Sequence, residues 1–224
     1  RMYTDYMLMT AAKNVTRDVS LVFDFIERPY SPVRFKELLV SPNEMKQKLS
    51  RLINEEIKNK QAGKPAYILI KINHITDPVM VKKLYEASSH GVRIDLLVRG
   101  NCSLITGVPG VSDTIRINGI IDRYLEHSRI FIFANGGDEK MFIGSADWMP
   151  RNLDNRVEVI APVYDPEIKA DLKRVVEYGL KDTLQGRVVD GTGENRPWIS
   201  EDKTAFRSQE ELYKYYLNEN RIKD

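Results

Sequence analysis

The spacing of apolar positions divides the chain early. Residues 1 to about 37 carry apolar side chains and the loop-like "ERPYSPVRF", but too few elements to build a core of their own, so they read as the end of a preceding domain. At "SPNE" the pattern becomes helical. Ser41 can cap, Pro42 suits a first turn and Glu44 completes a capping box, after which Met45, Leu49, Leu52, Ile53 and Ile57 share one face until Gly63. "AYILIKI", from Ala66 to Ile72, is short and β-rich. Asp77, Pro78 and Gly91 bound the next helix, and "VRIDLLV" leads into Arg99. Strand, helix and strand at this spacing predict a right-handed βαβ unit with parallel strands, whose ligands gather beyond the strands' carboxyl ends.

The second half alternates differently. "TIRINGI" reads as a strand, "RIFIF" and "KMFIG" flank the hairpin turn signal Asn135-Gly136, and "RVEVIAPV" adds a strand from Arg156. Asp165 and Pro166 open a helix with Ile168, Leu172, Val175 and Val176 facing inward, and Ser208 to Glu211 offers another capping box. The fold class is therefore α/β, a mixed β-sheet flanked by helices. Residues 1–37 finish one unit and 38–224 form the main one.

Composition narrows the functions. The chain of 224 residues is 42% apolar and 29% charged, an ordinary globular balance. Its 34 basic and 32 acidic side chains leave a formal charge of +2, so attraction to nucleic acid is not written into the total and no nucleic-acid partner is expected. Cys102 is the only cysteine, which excludes an internal disulfide and fits a reducing compartment. No apolar run is long enough to span a bilayer and no signal peptide opens the chain, so a cytoplasmic protein is expected. The opening "RMYTDYMLMT" reads as a cut inside a longer protein. No dense carboxylate cluster marks a metal site.

Three histidines are candidates for chemistry. His90 precedes a helix-ending glycine and suits a cap; His74 follows a strand and suits a surface turn, although it could approach a ligand. His127 lies where "RIFIF" begins, while Ser145 and Asp147 close the neighbouring strand, so antiparallel pairing brings them together. A neutral imidazole there can attack phosphorus or carry a proton near pH 7. Arg99 and Arg156, at strand ends, offer forked donors that suit phosphoryl oxygens.

His127-x-Arg129 followed by Gly144-Ser145-x-Asp147 resembles the phospholipase D superfamily motif H-x-K-x4-D-x6-G-S-x-N in altered form. Lysine is replaced by Arg129, the central acid falls on Ala134, and the serine arrives about three residues late in the hairpin. "LYEASSHGVRIDLLVRGNCSL", "GVPGVSDTIRINGIIDRYLEHSRIFIFANGG" and "GSADWMPRNLDNRVEV" are more specific, and resemble the carboxyl-terminal part of the long, histidine-phosphorylated polyphosphate kinases. The resemblance implies a transferase: a kinase with two phospholipase D-like lobes around one active site, of which residues 1–37 end the first and 38–224 form the second. It implies that the terminal phosphate of ATP passes reversibly to polyphosphate through a phosphohistidine upstream of this chain, with Mg²⁺, leaving this stretch alone inactive. On matching positions it implies nucleotide contacts at Tyr3 and Arg99, a second active-site histidine at His127 and phosphate binding at Arg156, with Arg129, Ser145 and Asp147 in support. ATP or ADP and inorganic polyphosphate are the implied partners, in a homo-oligomer that admits peripheral membrane association. The alternatives are a polyphosphate- or nucleotide-binding lobe without turnover, a phospholipase D-type phosphodiesterase and a purely structural module.

Overall fold

A computed structural model describes residues 2–30, 32–200 and 204–221. Among the described residues ten strands form: β1 (Tyr3–Thr4), β2 (Leu39–Ser41), β3 (Tyr67–Ile72), β4 (Arg93–Val98), β5 (Ile115–Ile120), β6 (Leu125–Glu126), β7 (Arg129–Phe133), β8 (Lys140–Gly144), β9 (Glu158–Val163) and β10 (Gly186–Val188). Five α-helices accompany them there: α1 (Lys13–Glu27), α2 (Met45–Gln61), α3 (Pro78–Ser89), α4 (Pro166–Lys181) and α5 (Ser208–Arg221). Eight strands make one sheet in the order β10-β5-β4-β3-β7-β8-β9-β2, and β1 pairs with β6 beside it. The pairs β3/β4 and β4/β5 are parallel, as the strand-helix-strand spacing predicts, and the remaining neighbours in the large sheet are antiparallel. The sheet is mixed and flanked by helices on both faces.

Period-two alternation decides which side chain meets which helix. Ile68, Ile70 and Ile72 of β3, with Phe131 and Phe133 of β7, pack under α2 and α3; Leu69, Ile130 and Ile132 pack under α4. Central strands buried on both faces read as continuous apolar runs for this reason. Asp77 and Asp165 cap α3 and α4 as expected, each accepting two backbone N–H groups. His90 sits at the end of α3 with Nδ1 2.8 Å from the Glu86 carbonyl.

Three local expectations are corrected. Ser41 does not cap α2: it ends β2, donating its hydroxyl to the Arg156 carbonyl at 2.8 Å and accepting from the Glu158 N–H, so α2 begins only after Glu44. Ser208 opens no capping box, because Asp182 takes both its N–H and its hydroxyl. Ile168 is 40% exposed, since α4 meets the sheet only from Leu172 onward. Within residues 1–37, read as having too few elements for a core of their own, α1 forms and packs Val15, Val22 and Phe25 against Phe35 and, beyond this segment, Leu38 and Val40, with Asp18 accepting from the Glu37 and Leu38 N–H groups.

Gly144 closes β8 where β9 passes close by. A Cβ there would lie 2.4 Å from the Val159 carbonyl oxygen and 2.7 Å from the Ile160 Cα, both backbone atoms of a paired strand that cannot rotate aside. Gly144→Ala should therefore lower stability by about 1–3 kcal/mol, read as a fall in the urea midpoint with an unchanged slope.

Candidate functional site

The sheet brings one end of five strands together. The carboxyl ends of β3, β4 and β8 and the starts of β7 and β9 lie on one side, because β7 and β9 run against β3 and β8. Residues as distant in sequence as Asn73, His127, Asp147 and Glu158 thus share an edge. A cleft of about 820 Å³ opens there, lined by Tyr3, His74, His127, Arg129, Ser145, Asp147 and Arg156 among others.

His127 follows β6, and its backbone N–H donates to the Thr4 carbonyl at 2.9 Å. The pairing of β6 with β1 carries Tyr3 to the imidazole, with ring centroids 4.7 Å apart. The Arg129 guanidinium lies along the other side, Nη1 2.9 Å from Nδ1 and Nη2 3.2 Å from Nε2. A guanidinium only donates, so at most one of the two ring nitrogens, the lone-pair nitrogen of a neutral imidazole, can accept from it. Burial and the Arg129 charge both push the His127 pKa below its ordinary value, against a weaker pull from Asp5, whose Oδ2 is 3.5 Å from Nδ1.

Arg129 is itself fixed. Its Nε donates to Asp147 Oδ1 at 3.2 Å and its Nη2 to Oδ2 at 3.0 Å, a forked pair in which both residues are buried. Asp147 Oδ1 also accepts the N–H of Asn73 at 3.0 Å and of His74 at 3.3 Å. Burial pushes the Asp147 carboxyl up, but the Arg129 donors and charge and the two backbone N–H groups outweigh it and hold the pKa below the usual range. The altered motif has become a buried ion pair that holds a cation against an imidazole.

The opposite wall is organised by Glu158, which is buried. It accepts from the Ser145 hydroxyl, from Asn152 Nδ2 at 2.7 Å and from Arg156 Nε at 3.2 Å. Ser145 is thereby committed as a donor to a carboxylate, and half-exposed Arg156, tied to Glu158 through Nε, lines the cleft. His74 also lines the cleft, its Nδ1 accepting the Asn101 N–H at 2.9 Å, so a neutral ring carries its proton on Nε2.

Of the residues singled out in the sequence, Tyr3, His127, Arg129, Ser145, Asp147 and Arg156 line this cleft, and Arg99 does not. Arg99 instead lines a small adjacent hollow with Lys71 and Glu126, and joins the cleft's framework by donating from Nε to Asn73 Oδ1 at 2.9 Å. Sequence reasoning missed Asp5, Asn152 and Glu158 and undervalued His74. The position of His74 after a strand end was the one available signal; nothing in the spacing of Glu158 or Asn152 distinguishes them from surface residues. Among the described residues no group of three His, Cys, Asp or Glu side chains could hold a metal ion. Mg²⁺ therefore has no cage of such ligands among the described residues. No helix among the described residues is long and apolar enough to cross a membrane.

Fold and cleft together define an α/β lobe that presents an imidazole and arginines at one edge of a mixed sheet. The chain belongs to the polyphosphate kinase C-terminal domain 2 family, whose model matches residues 38–209. The polyphosphate kinase of Escherichia coli (strain K12) is 45% identical over 96% of this chain, and the chain spans only 31% of that relative. The crystal structure of polyphosphate kinase from Porphyromonas gingivalis superposes with a TM-score of 0.89 at 39% identity, covering 96% of this chain and 33% of the other. A phospholipase D family member, Nuc from Salmonella typhimurium, superposes with a TM-score of 0.49 at 15% identity, covering 69% of this chain and 97% of its own. The chain thus spans about a third of the length of the curated relatives it matches.

Proposed function

We propose that this chain is the second catalytic lobe of a polyphosphate kinase, with residues 1–37 ending the first lobe, and that it works on phosphate passed from ATP to polyphosphate through a phosphohistidine upstream. The observation that carries this is the imidazole of His127, held between Tyr3 and the Asp147-bonded Arg129 in a cleft that Arg156 also lines. Phosphoryl transfer needs position and charge neutralisation more than covalent help from the protein, and these groups supply both. His127 acts as a proton carrier or, when protonated, as a charge stabiliser opposite the phosphohistidine. Tyr3 stacks against the nucleotide, Arg156 takes phosphoryl oxygens, and Arg99 reaches the nucleotide from the neighbouring hollow. Mg²⁺ enters with the nucleotide phosphates.

Three experiments test this reading. Incubated alone with γ-labelled ATP, the chain should acquire no phosphate; label on His127 would place the phosphoacceptor here and overturn the assignment. In the full-length protein, Arg156→Ala should raise the KM for polyphosphate about tenfold with a smaller change in kcat, as expected when a charge-assisted contact to bound anion is removed. An unchanged KM would take Arg156 out of substrate binding. Turnover of a phosphodiester by the full-length protein, with water as acceptor, would favour the hydrolytic alternative.

A further inference from the structure

A second cleft lies at the other end of the same strands. The His127 cleft is framed by Gly144 at the end of β8 and Glu158 at the start of β9, whereas this one is framed by Lys140 at the start of β8 and Val163 at the end of β9. Four residue steps along β8 and five along β9, at about 3.3 Å each, put the two roughly 13–16 Å apart. The second cleft encloses about 530 Å³, within the range that holds a mononucleotide-sized ligand. Its floor is apolar, with Leu39, Leu52, Met141, Phe142 and Pro162, and Tyr164 lines it beside them.

Its charges are unbalanced. Lys48 is committed to the carbonyls of Phe35 and Leu38, and Lys169 to the carbonyl of Glu139. Glu37 accepts the Tyr164 hydroxyl, and Glu55 pairs with Lys58. Lys36, Arg51 and Lys140 are exposed, line the cleft and have no hydrogen-bond or ion-pair partner among the described residues. Burial and Glu37 push the Tyr164 phenol up to about 12, so it stays neutral beside the floor.

We propose that this cleft is a second ligand site, for a nucleoside phosphate whose base rests on Phe142 and Tyr164 and whose phosphates meet Lys36, Arg51 and Lys140. A bare phosphate chain would satisfy the cations and leave the apolar floor wet; an uncharged aromatic would cover the floor and leave three cations without acceptors. Only a ligand with a flat apolar part and an anionic tail uses both. The site goes beyond the proposed catalytic cleft and does not depend on it, since it shares no lining residue with it.

The test is equilibrium dialysis of the chain, and of the full-length protein, against labelled ADP, with tripolyphosphate as the second probe. Arg51→Ala with Lys140→Ala should weaken one ADP-binding component by about tenfold or more, while His127→Ala with Arg156→Ala leaves that component intact. Both altered cations are exposed, so the thermal melt should not move. Tripolyphosphate should compete at that component at least about tenfold less well than ADP. ADP affinity unchanged by Arg51→Ala with Lys140→Ala, or lost only with His127→Ala and Arg156→Ala, would overturn the site. Tripolyphosphate binding as tightly as ADP would overturn its assignment to a nucleoside.

Discussion

Replacing His127 by alanine in the full-length protein should lower kcat for ATP-dependent polyphosphate synthesis by about 10²-fold or more, with little change in the KM for ATP. Proton transfer by a positioned imidazole contributes about 10²–10⁴-fold, and here the positioning is done by neighbours that the substitution leaves in place. The backbone N–H of residue 127 keeps its bond to the Thr4 carbonyl, and Arg129 keeps its fork on Asp147, so the variant should fold. The pH profile adds a second readout. Because burial and Arg129 hold the His127 pKa below its ordinary value, the neutral ring persists on the acid side of pH 6.5, and an activity that needs it should fall only below that point. Arg129→Gln retains a hydrogen bond to Asp147 but removes the charge beside the ring, so the acid limb should move to higher pH. Near-normal turnover by folded His127→Ala would end the assignment.

The sheet was legible in the sequence wherever both faces of a strand are apolar. "AYILIKI", "VRIDLLV" and "RIFIF" all became central strands, because a mostly apolar run goes between two helix layers, and the charges inside it find partners there, Lys71 with Glu126 and Asp95 with Arg93 and Arg116. What stayed hidden depended on partners far along the chain. Ser41 satisfies every local requirement of a helix cap, yet pairing with Glu158 takes its hydroxyl into the β2 edge, a competition that no window around residue 41 can reveal. Helix α1 was passed over although its apolar positions recur at helical spacing; its core partners Phe35, Leu38 and Val40 lie beyond the intervening loop. In the site, hairpin geometry was enough to join His127 to Ser145 and Asp147. The separation of Arg99 from the cleft was not readable, since it turns on Asn73 holding the guanidinium in the next hollow.

Asp147→Ala should cost about 3–5 kcal/mol of stability, because it strips a buried guanidinium of its carboxylate partner and orphans two backbone N–H groups at once. For a chain of this size that corresponds to a fall in melting temperature of roughly 6–20 °C. Asp147→Asn separates shape from charge: it can still accept from Asn73 or from Arg129, and its loss should be smaller. The acid dependence distinguishes the ion pair from mere packing. The folded Asp147 pKa is depressed below its unfolded value of about 4, so its contribution is complete above that value and disappears as pH falls toward the folded pKa. The stability gap between the native chain and Asp147→Asn should therefore be constant from pH 7 to about 5 and narrow below about 4. A gap that does not change with pH would mean that Arg129 is held by packing and the forked bonds contribute no net charge–charge stabilisation. The same variant should also free Arg129 from its position against His127, so activity should fall further than stability alone accounts for when both are measured on the fully folded protein.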